Sequence, residues 1–305
     1  MAEAALLACD WGTTNLRAWT LDAEGKPLQS REFELGVSRL KPGEAERAFH
    51  ETVRPALGAQ GLPAMLCGMI GSNLGWKAVD YAPCPAGLAE LGAGVAEVEG
   101  GAAPVRIVPG VRGEGLAGGA DVMRGEETQA LGWLEQDAAR RQGRHLVCHP
   151  GTHAKWILIE DGRIVRFVTF MTGELFAVLG RHSVLKSDAP ADDEAAFDEG
   201  LKTAGDGGAL AARLFSARSR VTALGKRPES TPSYLSGLLI GAEAAAAPAL
   251  VGLEGAETVE LIGEPALCRW YQRALAARGL KVKANDGVEA ALAGLWALHR
   301  MGQGR

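Results

Sequence analysis

The chain reads as an α/β protein built from two domains with mixed sheets, and three observations predict it. A Gly-Thr turn after an apolar strand occurs twice, at Asp10-Trp11-Gly12-Thr13-Thr14-Asn15 and at His149-Pro150-Gly151-Thr152-His153-Ala154-Lys155. Each copy follows an apolar run (residues 4–9 and 146–148) and leads into another strand-like run (16–21 and 156–159), so one supersecondary unit is used twice. Strand-like and helix-like segments then alternate through both halves, the pattern of mixed α/β sheets. With 305 residues there is chain enough for two cores of ordinary size.

Taken in order, strands are expected near 4–9, 16–21 (turning at Asp22-Ala23-Glu24-Gly25) and 28–35, and a helix across 44–58. A strand at 64–67 runs into Gly68-Met69-Ile70-Gly71-Ser72-Asn73, followed by a loop from Trp76 to Pro85, a short helix near 86–91 and a strand at 105–108. A glycine-rich stretch over 109–119 leads to a helix at 121–136. The polar segment 136–144 marks the boundary, giving domains of 1–138 and 139–305 with the last helix free to cross back. In the second half, the repeated hairpin turns at Asp161-Gly162 into a strand at 164–170. An acidic segment, 187–199, reads as a solvated loop. Helical stretches at 208–217 and 232–247, a strand at 259–262, a helix after Glu264, a strand centred on Val282 and a closing helix at 288–298 complete the chain. The Ala-rich run 242–249, interrupted by Glu243 and Pro248, reads as a packed helix, and Gly237 and Gly241 on one face of it permit close approach of a neighbour.

Composition narrows the class. Hydrophobic content of 47% describes a globular protein, and a net charge of −5 argues against nonspecific nucleic-acid binding, which needs a basic face. Five cysteines (Cys9, Cys67, Cys84, Cys148, Cys268) show neither metal-ligand spacing nor a paired framework, which fits a reducing cytoplasm. Met1-Ala2-Glu3 lacks the positive region of a signal peptide, Asp10 interrupts the first apolar run, and no stretch reaches transmembrane length. A cytoplasmic protein acting on a small molecule is expected, without nucleic-acid or membrane partners and with a homodimer as one possible assembly.

The chemistry-bearing residues cluster at strand ends. In both turns the glycine permits a tight bend with exposed amides, and the flanking threonine hydroxyls add donors, together an anion-holding concavity. Asp10 ends its strand just before the first turn, where a carboxylate can orient Mg²⁺ near phosphates or can cap its own turn. Glu126 and Glu127 open a helix and point about 100° apart, so they cannot share a role. Transfer of a phosphoryl group to a hydroxyl needs a carboxylate to accept the proton, and Glu127 is the candidate. Gly68, Met69, Ile70, Gly71 and Ser72, with Trp76 and Tyr81, offer exposed backbone and flat faces suited to a sugar-like ligand or to an ordinary packed loop. Arg112 and Arg124 can hold a substrate carboxylate in a bidentate fork or serve structural ion pairs. Gly263-Glu264-Pro265 reads as a strand end before a helix, a seat for adenosine.

Together these motifs resemble one family, the 2-dehydro-3-deoxygalactonokinases of the actin-like ATPase and sugar-kinase superfamily. The resemblance runs through Asp10-Trp-Gly-Thr-Thr-Asn, Gly68-Met-Ile-Gly-Ser, Tyr81 with Cys84-Pro-Ala, Val122-Met-Arg-Gly-Glu-Glu-Thr-Gln, Pro150-Gly-Thr-His-Ala-Lys-Trp, Phe170-Met-Thr-Gly-Glu-Leu-Phe and Tyr234-Leu-Ser-Gly-Leu-Leu-Ile-Gly, in family order along nearly the whole chain. It implies two actin-like (ribonuclease H-like) domains with mixed sheets flanking an ATP cleft, and phosphorylation of the 6-hydroxyl of 2-dehydro-3-deoxy-D-galactonate in galactonate breakdown. In that reading ATP and Mg²⁺ are the cofactors and Asp10 is the metal residue. Gly12, Thr13, Thr14, Asn15, Gly151, Thr152, His153, Lys155, Gly263 and Glu264 would bind the nucleotide, and Glu127 would take the proton. The segment around Glu127 is also similar to one in exopolyphosphatases, where a second carboxylate follows; His149 stands in its place here, which counts against a polyphosphate hydrolase. Asn73 replaces an expected arginine on the sugar side, and His149 an expected apolar residue. The rival readings are such a phosphohydrolase and a non-catalytic, ATP-dependent binding or regulatory protein.

Overall fold

The computed structural model describes residues 2–98, 103–252 and 258–303. It resolves into two compact units: Met1–Arg144 with Ile159–Arg166 and Gly287–Arg305, and His145–Leu158 with Phe167–Asp286.

The first unit contains β1 (Leu6–Trp11), β2 (Leu16–Leu21), β3 (Pro27–Phe33), β4 (Ala64–Gly68), β5 (Ala82–Pro83), β6 (Ala96–Val98), β7 (Val105–Ile107), β8 (Val111–Glu114) and β9 (Ala120–Met123). Its helices are α1 (Glu44–Ala48), α2 (Arg54–Ala56), α3 (Leu88–Gly94) and α4 (Glu126–Glu135). The main sheet has the order β3-β2-β1-β4-β7-β6, antiparallel from β1 to β3 and parallel from β1 through β4 to β7. Every residue of β1 is buried, as a central strand covered on both faces requires, whereas β3 lies at the edge and is largely exposed. Trp11, Leu16, Phe49, Val53, Leu66 and Ile70 form the core on one side of this sheet.

The helix expected over 121–136 begins later. β8 and β9 form an antiparallel hairpin, from Val111↔Met123 to Glu114↔Ala120, out of the glycine-rich stretch and the first residues of the expected helix. Gly125 stands at φ +111°, outside helical space, so the helix starts only at Glu126.

The second sheet contains β10 (Arg144–His149), β11 (Ala154–Glu160), β12 (Arg163–Phe170), β13 (Thr258–Gly263) and β14 (Lys281–Asp286), in the order β12-β11-β10-β13-β14. β10, β13 and β14 run parallel. The order of the first unit therefore recurs, as the actin-like reading expects. Helices α5 (Thr172–His182), α6 (Glu194–Ala204), α7 (Leu210–Leu214), α8 (Ser216–Thr222), α9 (Thr231–Leu250) and α10 (Pro265–Ala276) surround it. The acidic segment is only partly a loop. The Asp193 carboxylate caps α6 by accepting from Ala196 N, and burial of Ala196 and Phe197 draws residues 194–199 into the helix.

The helical run Pro228–Leu250 is 23 residues long and apolar enough to cross a membrane, contrary to the expectation that no stretch reaches that length. Most of its apolar window is buried, because α6 lies directly against it. A Cβ on Gly237 would sit 2.0 Å from Phe197 O, and one on Gly200 would sit 2.1 Å from Tyr234 O. It is a core helix with the close approach expected at Gly237.

The last helix, α11 (Gly287–Gln303), belongs to the first unit and packs on α4 in the same way. A Cβ on Gly132 would lie 1.9 Å from Ala290 O, and one on Gly294 would lie 2.2 Å from Thr128 O. Neither neighbour is a flexible side chain that can swing aside. Gly132→Ala is expected to force the two helices apart and cost about 1–3 kcal/mol, read as a lower midpoint in urea unfolding; an unchanged midpoint would show that the α4–α11 contact is loose.

Candidate active site

In the first unit the site grows from the register of two parallel strands. β1 and β4 pair with Asp10 opposite Cys67 and Trp11 opposite Gly68. Gly68 leaves the sheet at φ +88°, and a Cβ there would lie 2.6 Å from Trp11 O. A Cβ on Gly125 would in turn lie 3.3 Å from the Gly68 Cα, so the start of α4 rests directly on the end of β4. These approaches gather Asp10, Cys67 and Glu127. The Cys67 thiol donates to Asp10 Oδ1 at 3.9 Å, and its pKa is raised by burial and then by the charges of Asp10 and Glu127.

Glu127 is fully buried. Its Oε2 accepts from Gly125 N at 2.7 Å and its Oε1 from Thr128 Oγ1 at 2.8 Å. Burial, and secondarily the Glu126 charge, push its carboxyl up to about 7 despite those bonds. A carboxylate poised near neutrality is what proton transfer at physiological pH requires. Asp10 is 9% exposed, and its Oδ2 accepts from Arg17 Nη2 at 3.0 Å. Two acidic groups with different surroundings thus stand at the end of one sheet. Glu126 is separate in role: its carboxylate accepts from Arg124 N at 3.1 Å.

The first Gly-Thr turn is tied down by its carbonyls. Thr14 O accepts from Gly36 N, Gly12 O from Val37 N and Thr13 O from Ser38 N, at 3.0–3.1 Å. In a trans peptide the following N–H points opposite to the carbonyl, so the amides of Thr13, Thr14 and Asn15 face away from this loop. The side chains of Thr13 and Thr14 are exposed, and Asn15 Nδ2 donates to Glu32. Gly36 permits the contact, since a Cβ on it would lie 2.0 Å from Thr14 C.

The loop after β4 divides. Ser72 is buried and closes the turn, donating to Met69 O and accepting from Leu74 N. Trp76 packs against Phe49 and His50, with ring centroids 5.4 and 5.6 Å away, and so serves the core. Tyr81 carries the Arg124 guanidinium over its ring at 4.3 Å; Arg124 also donates to Val79 O and abuts Gly71. Arg124 Nε and Nη1 are buried without hydrogen-bond partners. Arg112 is exposed on β8 instead.

In the second unit, the first turn of α5 does what Gly36–Ser38 does in the first. Glu174 N donates to Thr152 O at 2.9 Å, and a Cβ on Gly173 would lie 2.5 Å from Gly151 O. The amides of Thr152 and His153 therefore face away from α5. Gly151 and Thr152 line a pocket of about 760 Å³ with Thr172, Asp192, Glu264 and Tyr271 among its walls. Glu264 caps α10 by accepting from Leu267 N, and Gly263 lies next to Pro150. His153 contacts Glu174, and buried Lys155 turns its ammonium onto His153 O at 2.9 Å. The charge of Lys155 thus serves the turn's own backbone.

Sequence reasoning passed over Gly36, Gly125, Thr172-Gly173 and Glu243. Glu243 was the most visible of these, a lone acid in an otherwise apolar helix. Among the described residues no group of three or more His, Cys, Asp or Glu could hold a metal ion. A magnesium ion that keeps its waters and rides on phosphates needs only one or two carboxylates, and Asp10 meets that demand.

With this geometry in place, comparison with known proteins is specific. A model of the 2-keto-3-deoxy-galactonokinase family matches residues 10–298. The 2-dehydro-3-deoxygalactonokinase of Escherichia coli (strain K12) is 36% identical over 292 residues, 95% of each chain. DgoK1 of Rhizobium meliloti (strain 1021), a candidate 2-dehydro-3-deoxygalactonokinase, is 38% identical over 303 residues, 96% of each chain. A crystal structure of a candidate enzyme of that name from Sinorhizobium meliloti superposes with a TM-score of 0.86 at 38% identity, covering 97% of this chain and 98% of that one.

The raised Glu127 carboxyl has a consequence for stability. Folded Glu127 keeps its proton to about 7, whereas the ordinary value is 4.5. The folded state binds more protons in that window, so this group's contribution to stability falls as pH rises from about 4.5 to 7 and is level above it. Urea unfolding at pH 5 and pH 8 is expected to show the wild type losing about 3 kcal/mol more than Glu127→Gln over that interval. Equal losses would mean that Glu127 titrates normally.

Proposed function

The chain belongs to the 2-keto-3-deoxy-galactonokinase family, and from that premise we propose that it transfers the γ-phosphoryl group of ATP to the 6-hydroxyl of 2-dehydro-3-deoxy-D-galactonate. The observation that carries the reading is Glu127, a buried carboxylate held near 7 whose charge, like that of Asp10, acts on Cys67 of the β1–β4 pair. Phosphoryl transfer asks a protein chiefly for positioning, charge stabilisation and one group to take the proton of the attacking hydroxyl. Glu127 takes that proton. Asp10, with Cys67 and Arg17 fixing its two oxygens, is the residue that would hold hydrated Mg²⁺, which when bound offsets charge on the phosphates.

The amides of Thr13–Asn15 and of Thr152 and His153 supply phosphate donors, and the pocket above Gly151 takes the nucleoside, with Glu264 at its rim. Gly68–Ser72, Tyr81 and Arg124 form the acceptor side. The Arg124 guanidinium, stacked on the Tyr81 ring, places a positive charge there that suits an acid better than a neutral sugar. The matching relatives act, by their names, on the same keto-deoxy acid. A metabolic role in carbohydrate breakdown within the cytoplasm follows from that substrate.

The test is ADP release from ATP and Mg²⁺ with a panel of 2-keto-3-deoxy sugar acids and a water blank. Release with the galacto isomer, a rate rising with pH through about 7, and loss of about 10²–10⁴ in kcat in Glu127→Gln with ATP binding retained are expected. Equal release in the blank would identify a hydrolase, and nucleotide binding without turnover on any acid would identify a switch. Retained kcat in Glu127→Gln would remove that residue from the proton-accepting role.

A further inference from the structure

The second unit holds a buried carboxylate that the chemistry above does not use. Glu243, in the middle of α9, is 2% exposed. Its Oε1 accepts from Trp156 Nε1 at 2.7 Å, and its Oε2 accepts from Tyr271 OH at 2.9 Å and from Thr172 Oγ1. Burial pushes this carboxyl up to about 7, and the three hydrogen bonds hold it back. An aliphatic residue would pack among the alanines of α9 without that penalty. What the carboxylate adds is geometry: one side chain ties together β11, α5 and α10.

Two of those ties end on the pocket, and the third ends on the strand behind its turn. Trp156 lies on β11, the strand that leaves the turn at residues 151–153. Thr172 opens α5, whose next two residues clamp that turn: Gly173 by close approach to Gly151 O, and Glu174 through its amide bond to Thr152 O. Thr172 and Tyr271 line the pocket wall, whereas Glu243 stands behind them. Both hydroxyls bond inward to Glu243, which holds the two side chains in place at the pocket wall.

We propose that Glu243 is a positioning residue for the nucleotide: through Thr172 and Tyr271 it sets the phosphate turn and the pocket wall, so that nucleotide affinity depends on it and acceptor affinity does not. This rests on the nucleotide reading of the pocket. Glutamine can keep the arrangement, with its carbonyl accepting from Trp156 and its amide donating to the two hydroxyl oxygens. Leucine cannot.

Calorimetric titration with the non-hydrolysable analogue AMP-PNP and Mg²⁺, together with KM for ATP and for the sugar acid, would be measured for wild type, Glu243→Gln, Glu243→Leu and Thr172→Val. The expected result is about tenfold or weaker nucleotide binding in Glu243→Leu, the loss of roughly one charge-assisted hydrogen bond's worth of positioning. KM for ATP should rise in parallel, KM for the acid should stay unchanged, and Glu243→Gln should remain close to wild type. Should Glu243→Leu fail to fold, Thr172→Val severs one arm alone and must show the same split in smaller measure. Wild-type affinity in Glu243→Leu, or in Thr172→Val when only that variant folds, would overturn the proposal, as would an equal rise in both KM values. A wild type that turns over ATP but shows no dependence on any of these residues contradicts the positioning role alone. A wild type that binds no nucleotide contradicts the kinase reading and removes this proposal with it.

Discussion

Burial of the Glu127 carboxylate is the constraint on which the first unit depends. It is achieved by backbone, not by long side chains. The β1–β4 register places Asp10 opposite Cys67, and two glycines at positive φ, Gly68 and Gly125, let α4 start against the end of β4. The seat of α4 is fixed from its other side by α11, through Gly132 and Gly294. A helix from the end of the sequence therefore determines where a carboxylate from the middle of it lies. Desolvation does the rest, raising that carboxyl into the range where it exchanges protons at neutral pH.

The two Gly-Thr turns are built by one physical device. Each Gly-Thr turn has its carbonyls bonded to a neighbouring segment, Gly36–Ser38 in one and the first turn of α5 in the other, and peptide planarity then turns the amides the opposite way. In both, a glycine makes the contact possible, Gly36 against Thr14 and Gly173 against Gly151. The acids differ. Asp10 stands next to last in β1 and His149 last in β10, and a buried acid of the second unit is Glu243, set back in α9 behind the pocket wall.

Much of this was legible in the sequence because it is local. The duplicated turns, the central strands and the acid pair at 126–127 follow from short-range pattern, and the motif order carries the family. The β8–β9 hairpin was hidden because its glycines blur alternation and Asp121–Arg124 look like a helix start. The capping of α6 by Asp193 was hidden because a run of acids reads as solvated until two buried residues, Ala196 and Phe197, give it a face. Trp76 and Lys155 illustrate the other limit: residue type suggested ligand contact, whereas only the fold shows that Trp76 packs on Phe49 and that Lys155 bonds His153 O. Glu243 stands out in the sequence as a lone acid, but its role does not, since its three donors come from β11, α5 and α10.

The most direct test of the account is the titration of Glu127 itself, followed by carboxyl infrared or carbon NMR signals and assigned by their loss in Glu127→Gln, a variant in which the Glu243 signal persists. A midpoint near 7 is the result the buried site requires. A midpoint near the ordinary 4.5 would mean that water reaches this carboxylate, and that the packing of α4 onto β4 does not create the base.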